Sequence, residues 1–511
     1  MRTDYCEKQD QTQKERCFAT SPPPLSPITQ LEARPAAGGR DAWPHWIESD
    51  PVVTTSGGGG GVRVLFICYQ FPPIGGSGAQ RPAKLVKYLD AAGFDIEVLT
   101  AAHQRFPWID PSLCSDVPAA ARIHRVAGNE PACLAKRFTD TLAGCWRCVC
   151  TDADRFPKQW IEDRIYWRLA RWAQRAGLGN GEPLWIGSAA RTALALHHRQ
   201  PFDVIVSTGP PHFVHRVALR VCAETRLPWV ADVRDPFVSD FDPGRPDSRH
   251  LAAMRRLERA ILRRASRIVT TSAALAADFR ARFPRRRASD IRTITNGFDR
   301  DDLRTSSDGF DGDARTGKGE ECTFVAAGAF YGRRELRRVV EPIGRALARH
   351  PEWCGRVRLV VAGTLDAQQQ DYWRKERPAW MHLAGYLDHA SAIRLVVRSA
   401  CSVMIVPDCC HSRTGIPGKT FELIALPTHV LALVPPGSEP ERIVARAGAA
   451  TIAPFEDSAK VTAAVESVIE RHLSETLPRD RTWSHLDRYD RCRLAVDFGG
   501  CLHDAIRRGR T

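Results

Sequence analysis

The chain has 511 residues, 43% of them hydrophobic and 26% charged, with a formal net charge of +14. That length exceeds one small core, so at least two domains are expected, and the composition is ordinary for a soluble globular protein. The positive balance favours anionic partners such as nucleotides, phosphates, acidic lipid surfaces or nucleic acid, while no apolar stretch approaches the ~18 residues of a membrane helix.

The chain opens on "MRTDYCEKQDQTQKERC", which lacks the apolar heart of a secretion signal, so a cytoplasmic location is the default expectation. The 16 cysteines are scattered, and free thiols are expected over a disulfide framework. Residues 1–61 are rich in Pro, Gly, Ser and charge, end in "TTSGGGGG", and read as a disordered N-terminal tail.

From Val62 the pattern changes. "VRVLFIC" reads as a buried strand, "GAQRPAKLVKYLDAAG" as a helix with Leu85, Val86 and Leu89 on one face, and "FDIEVLTA" as the next strand. "FDVIVSTG", "LPWVADVRD", "SRIVTTS" and "IRTITNG" continue the strands, with helices at "HRVALRVCAETR" and "LAAMRRLERAILRRA". A polar break at Asp299–Glu321 follows. Then "CTFVAAG", "RVRLVVAG", "MHLAGYL", "CSVMIVP", "HVLALVPP" and "ATIAPF" restart the alternation, with helices at "RRELRRVVEPIGRALARH", "SAIRLVVRSA" and "GKTFELIAL". Short apolar strands alternating with amphipathic helices predict an α/β protein of two doubly wound Rossmann-like domains with parallel sheets, ligands lying at the carboxyl ends of the strands. The expected division is a tail over 1–61, an N-terminal domain over 62–300, a linker over 301–321, a C-terminal domain over 322–485, and a final helix over 486–511 returning to the N-terminal domain.

The turn "YQFPPIGGSGAQRP" leaves the first strand stiffly and then bare of side chains. Gly75, Gly76 and Gly78 let backbone amides approach a phosphate or a sugar hydroxyl, with a helix N-terminus aimed at the same place. The alternative is a tight turn that binds nothing. A dinucleotide fingerprint fails, because Arg81 stands where a third glycine is needed and Thr100 where an acid should end the second strand. A nucleophile elbow at Ser77 fails on Ala79, and "GDARTGKG" fails as a phosphate loop on Gly319 and on preceding a strand.

Three further stretches belong with that turn: "FDVIVSTGPPHFVH", "WVADVRDPF" and "GIPGKTFELIA". In this order the set resembles bacterial glycosyltransferases of family 4, with the GT-B fold of two facing Rossmann-like domains, and "ITNGFD" is similar to their entry into the interdomain linker. The resemblance implies that the C-terminal domain binds a nucleotide-diphospho sugar and the N-terminal domain an acceptor. It implies that Glu422 accepts hydrogen bonds from the donor ribose, and that Lys419 with Arg333 or Arg334 holds the diphosphate. Gly75, Gly76 and Gly78 are then expected to face the phosphates and sugar of that donor. No cofactor beyond the donor substrate and no metal is then expected, since paired cations neutralise the leaving group. Many members carry a second glutamate whose place here is Thr414, so the contact to the donor sugar is lost or altered.

The remaining candidates carry two readings each. His212 is a base or a hydrogen-bond donor to acceptor or phosphate, or a helix cap. Asp232, Arg234 and Asp235 bind acceptor hydroxyls, or form an internal ion pair that shapes the loop. Cys133, Cys145, Cys148 and Cys150 lack a second well-spaced pair for zinc, and Cys409, Cys410 and His411 stand too close together for a tetrahedral site. The basic segment Gln159–Gly177, with three tryptophans, suits a membrane interface or packs on its own domain. The arginines of "RRLERAILRRASR" read as the wet face of an amphipathic helix.

The expected activity is transfer of a sugar to a lipid-linked or growing glycan in cell-envelope or exopolysaccharide synthesis. Peripheral association with the cytoplasmic face of the inner membrane is left open. The alternative is a non-catalytic binding or regulatory protein of the same fold. Nucleic acid is not an expected partner, because no aromatic-interleaved basic motif or reading helix stands out. A chain beginning at Gly61 is expected to fold and act as the full chain does. Loss of solubility or activity on that truncation would give the tail a role.

Overall fold

An apolar run such as Arg63–Cys68 has no polar face to turn to water, so helices must cover it on both sides. The computed structural model describes residues 61–102, 109–128, 131–149, 161, 164–165, 168–169, 172, 182–237, 248–307 and 321–509. The tail, the phosphate-loop imitation and most of the segment 159–177 lie outside these residues.

Two units form. One closes at Thr295 and takes in the chain from Arg491 onward; the other is Asn296–Asp490. The first holds strands β1 (Arg63–Cys68), β2 (Asp95–Ala101), β3 (Arg122–Val126), β4 (Val204–Gly209), β5 (Trp229–Val233), β6 (Arg267–Thr270) and β7 (Ile291–Thr293). They make one sheet in the order β3-β2-β1-β4-β5-β6-β7, every pairing parallel. Alternation along β1 sorts its side chains. Leu65 and Ile67 enter a core with the helices Ile186–Arg199, His215–Thr225, Ser248–Arg264 and Ala273–Arg282. Val64, Phe66 and Cys68 enter another with the helices Ser77–Ala91 and Arg491–Gly509. Phe498 and Leu502 of that last helix are fully buried, and Gly499 lets it approach Phe94 and Leu89.

The second unit holds β8 (Cys322–Phe330), β9 (Val357–Leu365), β10 (Met381–Gly385), β11 (Cys401–Ile405), β12 (His429–Val434) and β13 (Ala450–Pro454). Their order is β10-β9-β8-β11-β12-β13, again all parallel. The helices Arg337–Arg349 and Ser458–Leu473 cover one face, and His389–Val397, Lys419–Ala425 and Glu439–Ala447 the other.

The boundaries differ from expectation. The first unit ends at Thr295, and Arg300–Ser307 is a helix where a linker was expected. Its Arg300 pairs with Asp487 and Asp490 of the same unit, so the return to the first unit falls at Arg491.

In each sheet the strand order reverses beside the first strand, between β1 and β4 and between β8 and β11. The loops leaving those strands diverge, and the crevice outside their carboxyl ends is where such sheets take ligands. At the second reversal Gly328 of β8 lies opposite Gly363 of β9. A Cβ on Gly363 would meet the Gly328 carbonyl oxygen at 1.8 Å, and its φ is +141°. Gly363→Ala is therefore expected to cost about 3 kcal/mol from strain and overpacking. Gly332→Ala, at φ +56° with open space around it, is expected to cost about 1–2 kcal/mol. Urea unfolding of both variants checks this; equal losses would remove the close approach as a constraint.

Candidate functional site

Each reversal point carries a cluster of polar side chains. In the first unit, the chain leaving β1 turns through Pro72–Gly76 and starts a helix at Ser77. The turn is pinned by the bridge between Ile74 and Ile109 and by the Asp110 N–H donating to the Pro73 carbonyl at 2.8 Å. The three glycines have different reasons. Gly75 is buried, while Gly76 is exposed with φ +87° and would meet nothing with a Cβ, so its constraint is conformational. Gly78 lies inside the helix, where a Cβ would overlap the Gln70 side chain at 1.6 Å. The neighbour met at Gly78 is the movable end of Gln70, and the first turn at Gly76–Ser77 is exposed.

The loop leaving β4, Pro210–His212, stands beside it. His212 stacks on Phe237 with ring centroids 4.1 Å apart, its Nε2 3.2 Å from the Pro236 carbonyl oxygen. It is half-buried at the mouth of the loop. Behind it His215 is fully buried, with Nδ1 2.8 Å from Ser207 Oγ, which also accepts the Trp229 indole N–H at 2.8 Å. Burial, then the neighbouring His212 and Arg234, pull the His215 pKa well below that of a free imidazole, so this ring is neutral.

Asp232 is fully buried, and its carboxylate is occupied. Arg81 donates from Nε at 3.0 Å and from an Nη at 2.9 Å, and the Thr208 hydroxyl donates at 2.6 Å. Arg81 also donates to the carbonyls of Ile294 and Thr295. This is the internal ion pair of the second reading, made with Arg81, and it ties the first helix to β4, β5 and the chain leaving β7. Arg234 is also buried; it donates to the Gly78 carbonyl at 3.0 Å and to that of Pro210, and burial lowers its pKa against the opposing pull of Asp232 and Asp235. It fastens the glycine turn to the Pro-Pro-His loop. Asp235 is half-buried in the loop leaving β5, and with His212 and the Gly76–Ser77 backbone it remains at the accessible side of this half-site.

The second half-site is built on the helix Lys419–Ala425. Lys419, in its first turn, reaches back to the end of β8, where Nζ donates to the Ala327 carbonyl at 3.0 Å and lies 3.4 Å from the place of a Gly328 Cβ. Burial, then the neighbouring Arg334, bring its pKa down to about 7. Arg334 donates weakly to the Ala329 carbonyl at 3.4 Å, its Nε has no hydrogen-bond partner, and burial lowers its pKa. Neither cation pairs with a carboxylate of the described residues. Arg333 points the other way; it is exposed and paired with Glu456 at 3.0 Å. Of the two arginines left open by the sequence, Arg334 alone joins Lys419.

One helical turn on from Lys419, Glu422 lies 3.0 Å from His389 Nε2, the two side chains 18% and 11% exposed. His389 opens the helix His389–Val397, whose N-cap Asp388 accepts from the Ser391 N–H. Thr414 ends the short helix Cys410–Thr414, and Cys409 before it is buried with its N–H on Ser412 Oγ. Cys145 is an exposed free thiol on the helix Pro131–Val149, while Cys150 and the side chains of Cys133 and Cys148 lie outside the described residues. Arg81 and His389 were missed from sequence. Arg81 was visible as the residue that broke the dinucleotide fingerprint, and nothing local marked His389.

Residues 76–297 match the family described as glycosyl transferase 4-like domain. No curated protein matches the chain. Among solved structures, an E. coli structure described as trehalose-6-phosphate bound with UDP-2-fluoro glucose is similar at TM-score 0.58 and 11% identity, over 86% of this chain and 98% of that one. The UDP-forming alpha,alpha-trehalose-phosphate synthase from Burkholderia vietnamiensis follows at 0.57 and 14%, over 88% and 100%. Sucrose-phosphate synthase from Thermosynechococcus elongatus gives 0.54 and 15%, over 86% and 98%. At these identities the likeness is one of fold: the chain has the two-sheet GT-B fold and carries a glycosyl transferase 4-like domain over residues 76–297.

Proposed function

We propose that this glycosyltransferase moves a sugar from a nucleotide-diphospho sugar, held by the second unit, to a lipid-linked or growing glycan of the cell envelope or an exopolysaccharide. The observation that carries the donor reading is the half-buried pair Lys419 and Arg334, two cations with no carboxylate between them and both depressed by desolvation. Like charges buried together cost free energy unless an anion joins them. A diphosphate supplies that anion and gains charge as it leaves, so the pair binds the leaving group more strongly in the transition state than in the ground state. The UDP sugar analogue bound to the E. coli neighbour is a ligand of this class. Glu422, oriented by His389, accepts from ribose hydroxyls, and Thr414 occupies the donor-sugar side. In the first unit His212, Asp235 and the Gly76–Ser77 backbone serve the acceptor, with Arg234 and the Arg81–Asp232 pair holding their loops. The two cations take the role a divalent metal would have, so turnover is expected to survive EDTA.

Arg334→Met is expected to weaken nucleoside diphosphate binding by roughly tenfold to a hundredfold, the worth of a charged hydrogen bond. Arg333→Met is expected to leave it unchanged, because that side chain serves Glu456. Glu422→Gln is expected to weaken the nucleoside diphosphate with its ribose but not inorganic pyrophosphate. Calorimetric titration of the folded variants decides, and equal affinities throughout would remove this cluster from the donor site.

The Lys419 pKa near 7 gives a second test. Above it the amine of the ligand-free protein is largely neutral, and a bound diphosphate restores its charge. Binding at about pH 8 is therefore expected to take up a proton, and affinity to fall as pH rises through that region. Binding enthalpies in buffers of different ionisation enthalpy measure the uptake. Identical enthalpies, with affinity flat in pH, would mean that Lys419 is charged throughout.

A further inference from the structure

The helix Ser248–Arg264 buries Leu257, Ile261 and Leu262 against its own sheet, so its apolar face is spent. Its outer face carries Arg255, Arg256, Arg259, Arg263 and Arg264, all exposed. Spacings of four and eight residues set Arg255, Arg259 and Arg263 along one stripe, and the arginines from 255 to 264 span about 14 Å of helix. The cluster does not end there. Arg286 donates to the carbonyls of Leu262 and Ala265 at the C-terminal end of this helix, at 2.5 and 2.6 Å. It thereby anchors the segment that bears the exposed Arg285 and Arg287 beside Arg263 and Arg264.

The carboxylates that would balance this charge are already committed. Arg282 takes both Glu258, at 2.6 Å, and Asp278, at 2.5 Å. Asp290 is taken by Arg267 and by Arg508, the latter at 2.5 Å. Among the described residues no carboxylate pairs with any of the seven exposed arginines. The helix dipole does not account for them either, because Arg286 already serves the terminal carbonyls. Mutual repulsion on a solvated face is a standing cost that an extended anionic partner would relieve.

We propose that the exposed face bearing Arg255, Arg259, Arg263, Arg264, Arg285 and Arg287 docks on the anionic headgroups of a lipid bilayer. Charge complementarity identifies the occupant. The guanidinium groups are many and spread along one exposed helix face, which suits a plane of headgroup phosphates. None of the exposed large hydrophobic side chains of the described residues lies on this helix or on the segment after it, so no aromatic is there to stack on a nucleobase or to insert between acyl chains. Binding through this face is electrostatic, held by arginine–phosphate contacts and weakened by salt. It rests on the charge of the first unit and not on the donor reading, although a lipid-linked acceptor would give both the same place of work.

The test is flotation of the full chain with vesicles of phosphatidylcholine plus phosphatidylglycerol and with vesicles of phosphatidylcholine alone. Binding to the anionic vesicles only, lost at high salt, is expected. R263E/R264E and, separately, R285E/R287E are expected to weaken it about tenfold or more, since each cation near such a surface contributes measurably. Both pairs are exposed, so melting temperature and nucleoside diphosphate binding are expected to stay unchanged, and the donor reading is scored separately in the same samples. Four results would overturn the proposal: no flotation with anionic vesicles, equal flotation with neutral ones, unchanged flotation of both variants, or tighter binding of single-stranded RNA than of vesicles at the same salt.

Discussion

A parallel sheet covered on both faces leaves polar chemistry only at the ends of its strands. In this protein both sheets are buried in that way, and the side chains of β1, β4, β11 and β12 are fully or almost fully sequestered. Most candidate functional groups stand at or just beyond a carboxyl end, as Asp232 does at the end of β5, or on the first turn of a helix that follows. The reversal of strand order beside β1 and beside β8 separates neighbouring loops, and the two half-sites fall at those two places.

The half-sites treat buried charge in opposite ways. In the first, Arg81 and Asp232 satisfy one another at 2.9 and 3.0 Å, with Thr208 and two backbone carbonyls completing the set. Nothing in that arrangement calls for a ligand, and its product is a fixed geometry for three loops. In the second, Lys419 and Arg334 lie together with only carbonyl partners, and desolvation depresses both. A third solution lies behind the second cluster. Arg481 is half-buried with its guanidinium on the carbonyls of Leu423, Leu426, Gly448 and Ala449, and desolvation brings its pKa down to about 10. By closing the C-terminal end of the helix Lys419–Ala425 it steadies the element that carries both Lys419 and Glu422.

The final helix shows how a late segment completes an early core. Leu494, Phe498 and Leu502 lie in the same cluster as Phe66, Leu89 and Val98, and the helix packs along Ser77–Ala91. The helix that presents the Gly76–Ser77 turn is therefore braced by residues more than four hundred positions downstream. On the opposite face of the same sheet, the helix Ser248–Arg264 keeps its arginines outward because its leucines and isoleucine are held inward.

Periodicity is local, and what it carries was legible. Apolar runs bounded by turn residues marked all six strands of the second sheet, and the alternation with helices gave the doubly wound class. Strand β3, "RIHRV", gave no such signal, because as an edge strand it pairs only with β2 and its residues are half-buried or exposed. "IRTITNG" promised a longer strand than Ile291–Thr293 because the carbonyls of Ile294 and Thr295 turn to Arg81 instead of a neighbouring strand. Lys419 and Glu422 could be named in advance only through the resemblance of "GIPGKTFELIA" to a family motif, and no periodicity singles them out. The choice between Arg333 and Arg334 could not, because adjacent residues in a turn point apart, and only the packing of Arg334 against the end of β8 separates them. Asp232 and Arg81 are 151 positions apart, so no local pattern could show that one neutralises the other. Local order was thus written in the sequence, while the state of each charge was decided by tertiary contact, because pairing and desolvation depend on neighbours in space.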